Sequence, residues 1–101
     1  MNKKINSLKE EPWETYYTNG KLASKGEYIN GKHHGPYESF YMNGNLYWQG
    51  YFKDGIYHGL FKVFYNNGQV FSKGQHFNGG KCGIWEYYHE DGLIDYKEFH
   101  L

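Results

Sequence analysis

Four columns of glycine recur every 24 residues, and they constrain this chain more than any other feature. Gly35, Gly59 and Gly83 form one column, and Gly20, Gly44, Gly68 and Gly92 a second. Gly26, Gly50 and Gly74 form a third, and Gly31, Gly55 and Gly79 a fourth. A register shared by four columns describes an array of similar units rather than one irregular domain. The units span residues 11–34, 35–58, 59–82 and 83–101. The first opens on Glu11 where the others have Gly, and the last is short and carries Glu98 in the third glycine column. Atypical end units are the pattern of caps on a repeat array. Residues 1–10 read as a polar N-terminal arm.

Each unit carries two turn dipeptides. The first is Asn19-Gly20, Asn43-Gly44, Asn67-Gly68 or Asp91-Gly92, and the second is Asn30-Gly31, Asp54-Gly55 or Asn78-Gly79. Asn-Gly and Asp-Gly favour two-residue hairpins, in which both central residues take positive φ. The segments between them are rich in Tyr, Phe, Trp and Ile, which suit strands. No segment between glycines is long enough for a helix. The expected fold is all-β: an elongated, twisted antiparallel meander of about eight strands.

Two-residue turns throughout set a register by counting outward. Around Asn43-Gly44, Tyr41 faces Leu46, Ser39 faces Trp48, Glu38 faces Gln49 and Tyr37 faces Gly50. Glu14 faces Lys25 and Glu86 faces Lys97 as cross-strand ion pairs, each contributing roughly 0.2–1 kcal/mol. The third unit instead sets Lys62 opposite Lys73. Around Asp54-Gly55, Gly50 faces Gly59 and Trp48 faces Phe61. One face then carries Trp13, Tyr37, Phe61 and Trp85, with Tyr17, Tyr41, Tyr65, Leu22, Leu46, Val70 and Ile94. The mid-strand glycines leave bare backbone there, over which a ring of Trp13, Tyr37 or Phe61 would lie.

Aromatic residues make up 22% of the 101 residues. A domain this small buries only about 60–65% of its unfolded surface, so some rings are expected to stay exposed. The second face holds the charged pairs and a second stripe: Tyr16, Phe40, Phe64 and Tyr88 beside Tyr47 and Phe71. A sheet normally hides at least one face, and no amphipathic helix exists to cover this one. The six residues of that stripe are the candidate protein-binding residues.

The unit G-x-[WYF]-x-x-[YF]-Y-x-N-G-x-L-x-x-x-G-x-[YF]-x-x-G, carried by residues 11–101, resembles the MORN-repeat variant (membrane occupation and recognition nexus) found widely in bacteria. The resemblance implies stacked hairpins acting as an interaction module rather than an enzyme. Some bacterial relatives are labelled antitoxins, and eukaryotic relatives are linked to membranes and lipids. It brings no catalytic residues.

Residue chemistry points the same way. His34, His58 and Cys82 share a column, but neighbours one unit apart lie about 9.5 Å from each other, too far to converge on one zinc ion. His33 and His34 point to opposite faces. Glu14, Glu38 and Glu86 repeat because the unit repeats, and two of them face lysines. Cys82 lies beside Lys81 but has no base–orienter arrangement. The glycines lead into no helix N-terminus, as a phosphate cradle requires. Formal charge is zero, against the basic surplus that nucleic acid or an anionic membrane requires. No metal, cofactor or catalytic residue is expected. No signal segment or roughly 18-residue apolar run appears, so the expectation is a soluble cytoplasmic protein. Its expected role is a non-catalytic interaction module or scaffold with a protein partner; self-association through a sheet face or open edge is a further expectation. The alternatives are an antitoxin-like mask for a toxin and, with less support, a membrane-surface protein.

Overall fold

A computed structural model describes residues 10–101. Residues 1–9, most of the expected N-terminal arm, lie outside the described residues. The fold is one open antiparallel sheet. Its strands are β1 (Glu10–Tyr16), β2 (Leu22–Ile29), β3 (Lys32–His33), β4 (Gly35–Phe40), β5 (Leu46–Lys53), β6 (Ile56–Tyr57), β7 (Gly59–Phe64), β8 (Val70–Phe77), β9 (Gly80–Tyr88) and β10 (Ile94–His100). The sheet order β1-β2-β4-β5-β7-β8-β9-β10 is the expected eight-strand meander. β3 and β6 are two-residue segments that pair with β2 and β5 before the chain enters β4 and β7. The molecule measures 56 × 40 × 12 Å. Since packed sheets lie about 10 Å apart, a 12 Å thickness leaves room for a single layer.

The two turn classes differ. Asn30-Gly31, Asp54-Gly55 and Asn78-Gly79 take positive φ at both positions, as two-residue turns require. In the other class only Gly20, Gly44, Gly68 and Gly92 do so. There the loop has three residues: Gly44 N–H donates to the Tyr41 carbonyl and Tyr41 N–H to the Asn45 carbonyl, and the other three turns repeat this. The Asn or Asp side chain accepts from the backbone N–H two residues on, as Asn43 Oδ1 does from Asn45 at 2.8 Å. That bond holds the Asx residue in an ordinary turn conformation and leaves the left-handed one to glycine. The expected Tyr41–Leu46 pairing is therefore corrected: Phe40 faces Leu46, with a bulge between Ser39 and Phe40. Deeper in the hairpin, Ser39–Trp48, Glu38–Gln49 and Tyr37–Gly50 pair as expected.

A second correction lies between the turn systems. Phe52 pairs with Tyr57, but Trp48 faces Val63 rather than Phe61. The register moves by two residues where Gly59, at φ 83, swings the chain out of extended geometry. This shift makes room for the rings. A side-chain carbon added at Gly26 would meet the Tyr37 ring at 2.6 Å, one at Gly50 the Phe61 ring at 2.9 Å, and one at Gly74 the Trp85 ring at 2.2 Å. Tyr37 and Phe61 thus cover mid-strand glycines as expected, but each ring belongs to the unit after the glycine. Trp13 pairs with Gly26 in register without being the ring against it. Among the described residues, β10 is the last strand in the sheet order. There the position carries Glu98, which accepts from the Tyr87 hydroxyl and contacts His100.

The column of Tyr17, Tyr41 and Tyr65 has a role the alternation did not indicate. Each hydroxyl donates to a main-chain carbonyl of the next unit: Tyr17 to Phe40, Tyr41 to Phe64 at 2.6 Å and Tyr65 to Tyr88 at 2.6 Å. The fourth unit has His89 in this column. Tyr41 and Tyr65 also lie against Tyr47 and Phe71 of the second face, with ring centroids at 4.7 and 5.2 Å. At the opposite end, Gly55 N–H donates to His33 and Gly79 N–H to Tyr57, so successive turns are bonded to each other. Tyr41→Phe should cost about 0.5–1.5 kcal/mol, because it leaves the Phe64 carbonyl without its donor. Tyr47→Phe should cost nothing measurable. Urea midpoints test this, and equal midpoints for the two variants would show that the hydroxyl does not tie the units together.

Candidate functional site

The two faces of the sheet solve the same problem differently. On the first face, rings cover each other. Trp13 contacts Tyr28, which contacts His33; His33 stacks on Phe52, Phe52 on Tyr57, and Tyr57 on His76, which abuts Trp85. Tyr37, Trp48 and Phe61 join this ladder from the side. These rings are half-buried, and Trp85, at 2% exposed, is the one buried apolar side chain among the described residues. This face is the core of a one-layer protein.

Histidine belongs to that core. Burial lowers the pKa of His33 and His76, and Lys81 lowers that of His76 further. The Nδ1 atoms of both are buried without a hydrogen-bond partner among the described residues, which favours neutral rings. Among the described residues, no group of three or more His, Cys, Asp or Glu could hold a metal ion. A depressed pKa gives the linkage sign. As pH falls through about 6.5, the usual histidine value, the unfolded chain takes up protons that these folded rings refuse, so stability falls. Unfolding midpoints should therefore drop between pH 7.5 and 5.5. The double variant His33→Tyr plus His76→Phe, which installs the residue types of Tyr57 and Phe52 one unit away, should flatten that drop. An unchanged slope would show that these two rings are not its source.

The second face is open. Three rows cross it, each set by the pleat. The first contains all six candidate residues. Tyr16, Tyr47 and Phe71 are exposed, while Phe40, Phe64 and Tyr88 are half-buried. The stripe is thus alternately projecting and recessed. The Tyr16 hydroxyl donates to Glu14 and the Tyr88 hydroxyl to Glu86, which ties this row to the next.

The second row is charged: Glu14, Lys25, Glu38, Gln49, Lys62, Lys73, Glu86 and Lys97, one per strand. Glu14 faces Lys25 and Glu86 faces Lys97 in register as expected, but of the two expected ion pairs only Glu86–Lys97 closes, at 3.5 Å, while Lys25 turns to Glu38. Ion pairs also run between units, Lys25–Glu38 at 3.6 Å and Lys73–Glu86 at 3.7 Å. Glu86 is held below its usual carboxylate range by the Tyr88 hydroxyl and then by Lys73 and Lys97. Lys62 does face Lys73, but Lys73 is engaged by Glu86 on its other side.

The third row was not singled out from the sequence. Pairing places Pro12 beside Glu27, Pro36 beside Tyr51, Leu60 beside Gln75 and Ile84 beside Phe99. Leu60 is 67% exposed, Ile84 57% and Phe99 73%. The signal was present: residues 12, 36, 60 and 84 form a 24-residue column of Pro, Pro, Leu and Ile.

Between the second and third rows lie three troughs in strict repetition. One is lined by Pro12, Glu14, Lys25, Glu27, Pro36 and Glu38 about Gly26. The next is lined by the residues 24 positions later, from Pro36 to Lys62 about Gly50, and the last by those 48 later, from Leu60 to Glu86 about Gly74. The middle trough gains His34, Lys53 and His58 and reaches about 760 Å³.

The profile of the MORN repeat variant matches residues 12–30 and 57–78, within the first unit and across the third. No curated protein and no solved structure matches significantly. MORN repeats are in general non-catalytic modules associated with protein and membrane interaction. Among the described residues, no helix is long and apolar enough to cross a membrane. Two segments of the chain are thus similar to the MORN repeat variant, and the hairpin pattern they carry runs through all four units of the sheet.

Proposed function

We propose that this protein is a non-catalytic interaction module whose open face docks a partner protein. The observation that carries this reading is the asymmetry of exposure. The ring ladder of the first face covers itself, whereas Tyr16, Tyr47, Tyr51, Leu60, Phe71, Ile84 and Phe99 stand exposed on the second. No described residue covers them in a sheet one layer thick. An apolar surface of this extent, interleaved with charges, is the composition of a protein interface. Masking a toxin would be one instance of such docking. The membrane reading gains no electrostatic support from a formal charge of zero.

The test is affinity capture of stoichiometric partners from native cells with the wild-type chain and with Tyr47→Ser plus Phe71→Ser. Both residues are exposed, so the variant should keep its thermal midpoint within a few degrees while losing the captured protein. Capture unaffected by this pair and by Leu60→Ser plus Ile84→Ser would overturn the reading.

A further inference from the structure

The troughs of the open face repeat at the spacing of one unit, which is two strands or about 9.5 Å. A ligand lying across the strands must therefore present a side chain every 9.5 Å on one of its sides. A polyproline II segment turns once per three residues and rises about 3.1 Å per residue, or about 9.3 Å per turn. An extended β segment puts residues three apart on opposite sides. An α-helix repeats its face every seven residues, about 10.5 Å, and falls out of step by about 2 Å over three troughs.

The chemistry of the trough walls agrees with that spacing. Pro36, Tyr51 and Leu60 form the apolar wall of the middle trough, and aromatic-lined grooves receive polyproline segments through such contacts. Gln49 on the other wall and the Tyr51 hydroxyl supply donors, and a polyproline backbone keeps its carbonyls free to accept. Charge selects further. Lys53 and Lys62 line this trough, and the lysine–carboxylate pairs among the described residues are made by Lys25, Lys73, Lys81 and Lys97 instead. Glu38, also on the wall, is engaged by Lys25, and His34 lies 3.7 Å from Asp54.

We propose that the open face binds a polyproline II segment of a partner protein, laid across the strands with every third residue in successive troughs and an acidic residue against Lys53 and Lys62. This rests on the reading of the open face as a protein-docking surface and names the chemistry of what docks.

The probe is a fluorescein-labelled peptide, Pro-Pro-Leu-Pro-Glu-Leu-Pro-Pro-Leu-Pro, whose leucines fall at every third position. The control has the same composition with the three leucines adjacent. Fluorescence anisotropy should show saturable binding of the first peptide and binding at least about tenfold weaker, a 1.4 kcal/mol difference, for the control. Leu60→Asp should abolish binding. Lys62→Glu should weaken it, and exchanging the peptide's Glu for Lys should restore binding to that variant. Leu60 and Lys62 lie on the surface row and trough wall, so thermal midpoints near wild type will confirm that these variants fold. Equal binding of the two peptides, no binding of the first, or binding only to phosphatidylserine vesicles would overturn the proposal. If a captured native partner is lost on Leu60→Asp while no peptide binds, the polyproline chemistry falls and the docking face stands. If capture ignores every open-face variant, both fall.

Discussion

Trp85→Ala should lower the unfolding free energy by about 3–5 kcal/mol, the usual cost of truncating a buried large aromatic. For a domain whose total stability is on the order of 5–15 kcal/mol, that is enough to populate the unfolded state near physiological temperature. Trp85 is the most buried apolar side chain described, at 2% exposed. Its Nε1 donates to the Gln75 carbonyl at 3.0 Å, its ring touches Phe61 and His76, and Lys81 lies 4.8 Å above it. A one-layer sheet has no second layer to collapse into the vacated space, so relaxation recovers little. Urea denaturation followed by far-ultraviolet circular dichroism measures the loss. A cost below about 1 kcal/mol, the size of a surface change, would mean that Trp85 does not anchor the C-terminal half of the ladder.

Gly74→Ala should be nearly as damaging although it adds a single methyl group. That carbon would lie 2.2–2.5 Å from three atoms of the Trp85 indole, so the ring must leave its place on β8. Overpacking of this kind costs about 1–3 kcal/mol, and more where ring and backbone cannot both yield. The cause is identified by the double variant. With Trp85→Ala already present, Gly74→Ala should cost almost nothing or recover the roughly 0.4–1 kcal/mol that alanine gains over glycine in the unfolded chain. Gly68→Ala is the contrast. Nothing lies within 4 Å of its missing side chain, but its φ of 92 is strained for any L-residue, so its penalty should be the same with or without Trp85. Additive costs for Gly74 and Trp85 would refute the ring-over-glycine contact.

These variants also separate what was legible from what was not. Turn positions, unit boundaries and the meander follow from Asx-Gly pairs at fixed spacing, because turn chemistry is settled within four or five residues. The choice between turn types was not legible. Asn30-Gly31 and Asn43-Gly44 are the same dipeptide, and only the flanking geometry makes the first a two-residue turn and the second a three-residue loop. The Tyr41 column was assigned to the ring face by counting, and its actual work depends on a carbonyl 23 residues away. All six candidate residues do share one row of the open face, since strand alternation inside a hairpin is local. The neighbouring row of Pro36, Tyr51, Leu60, Ile84 and Phe99 was missed because proline and isolated leucines do not register as a stripe until strands are laid side by side.

The sequence alone determined that this chain folds as repeating hairpins with aromatic strands, because each turn and each alternation is encoded by near neighbours. The tertiary structure alone decided how one hairpin sits on the next. The two-residue offset at Gly59, the rings of one unit over the glycines of the unit before, and the exposed row with its troughs all arise between units. They depend on contacts between residues far apart in the chain, which no local pattern specifies.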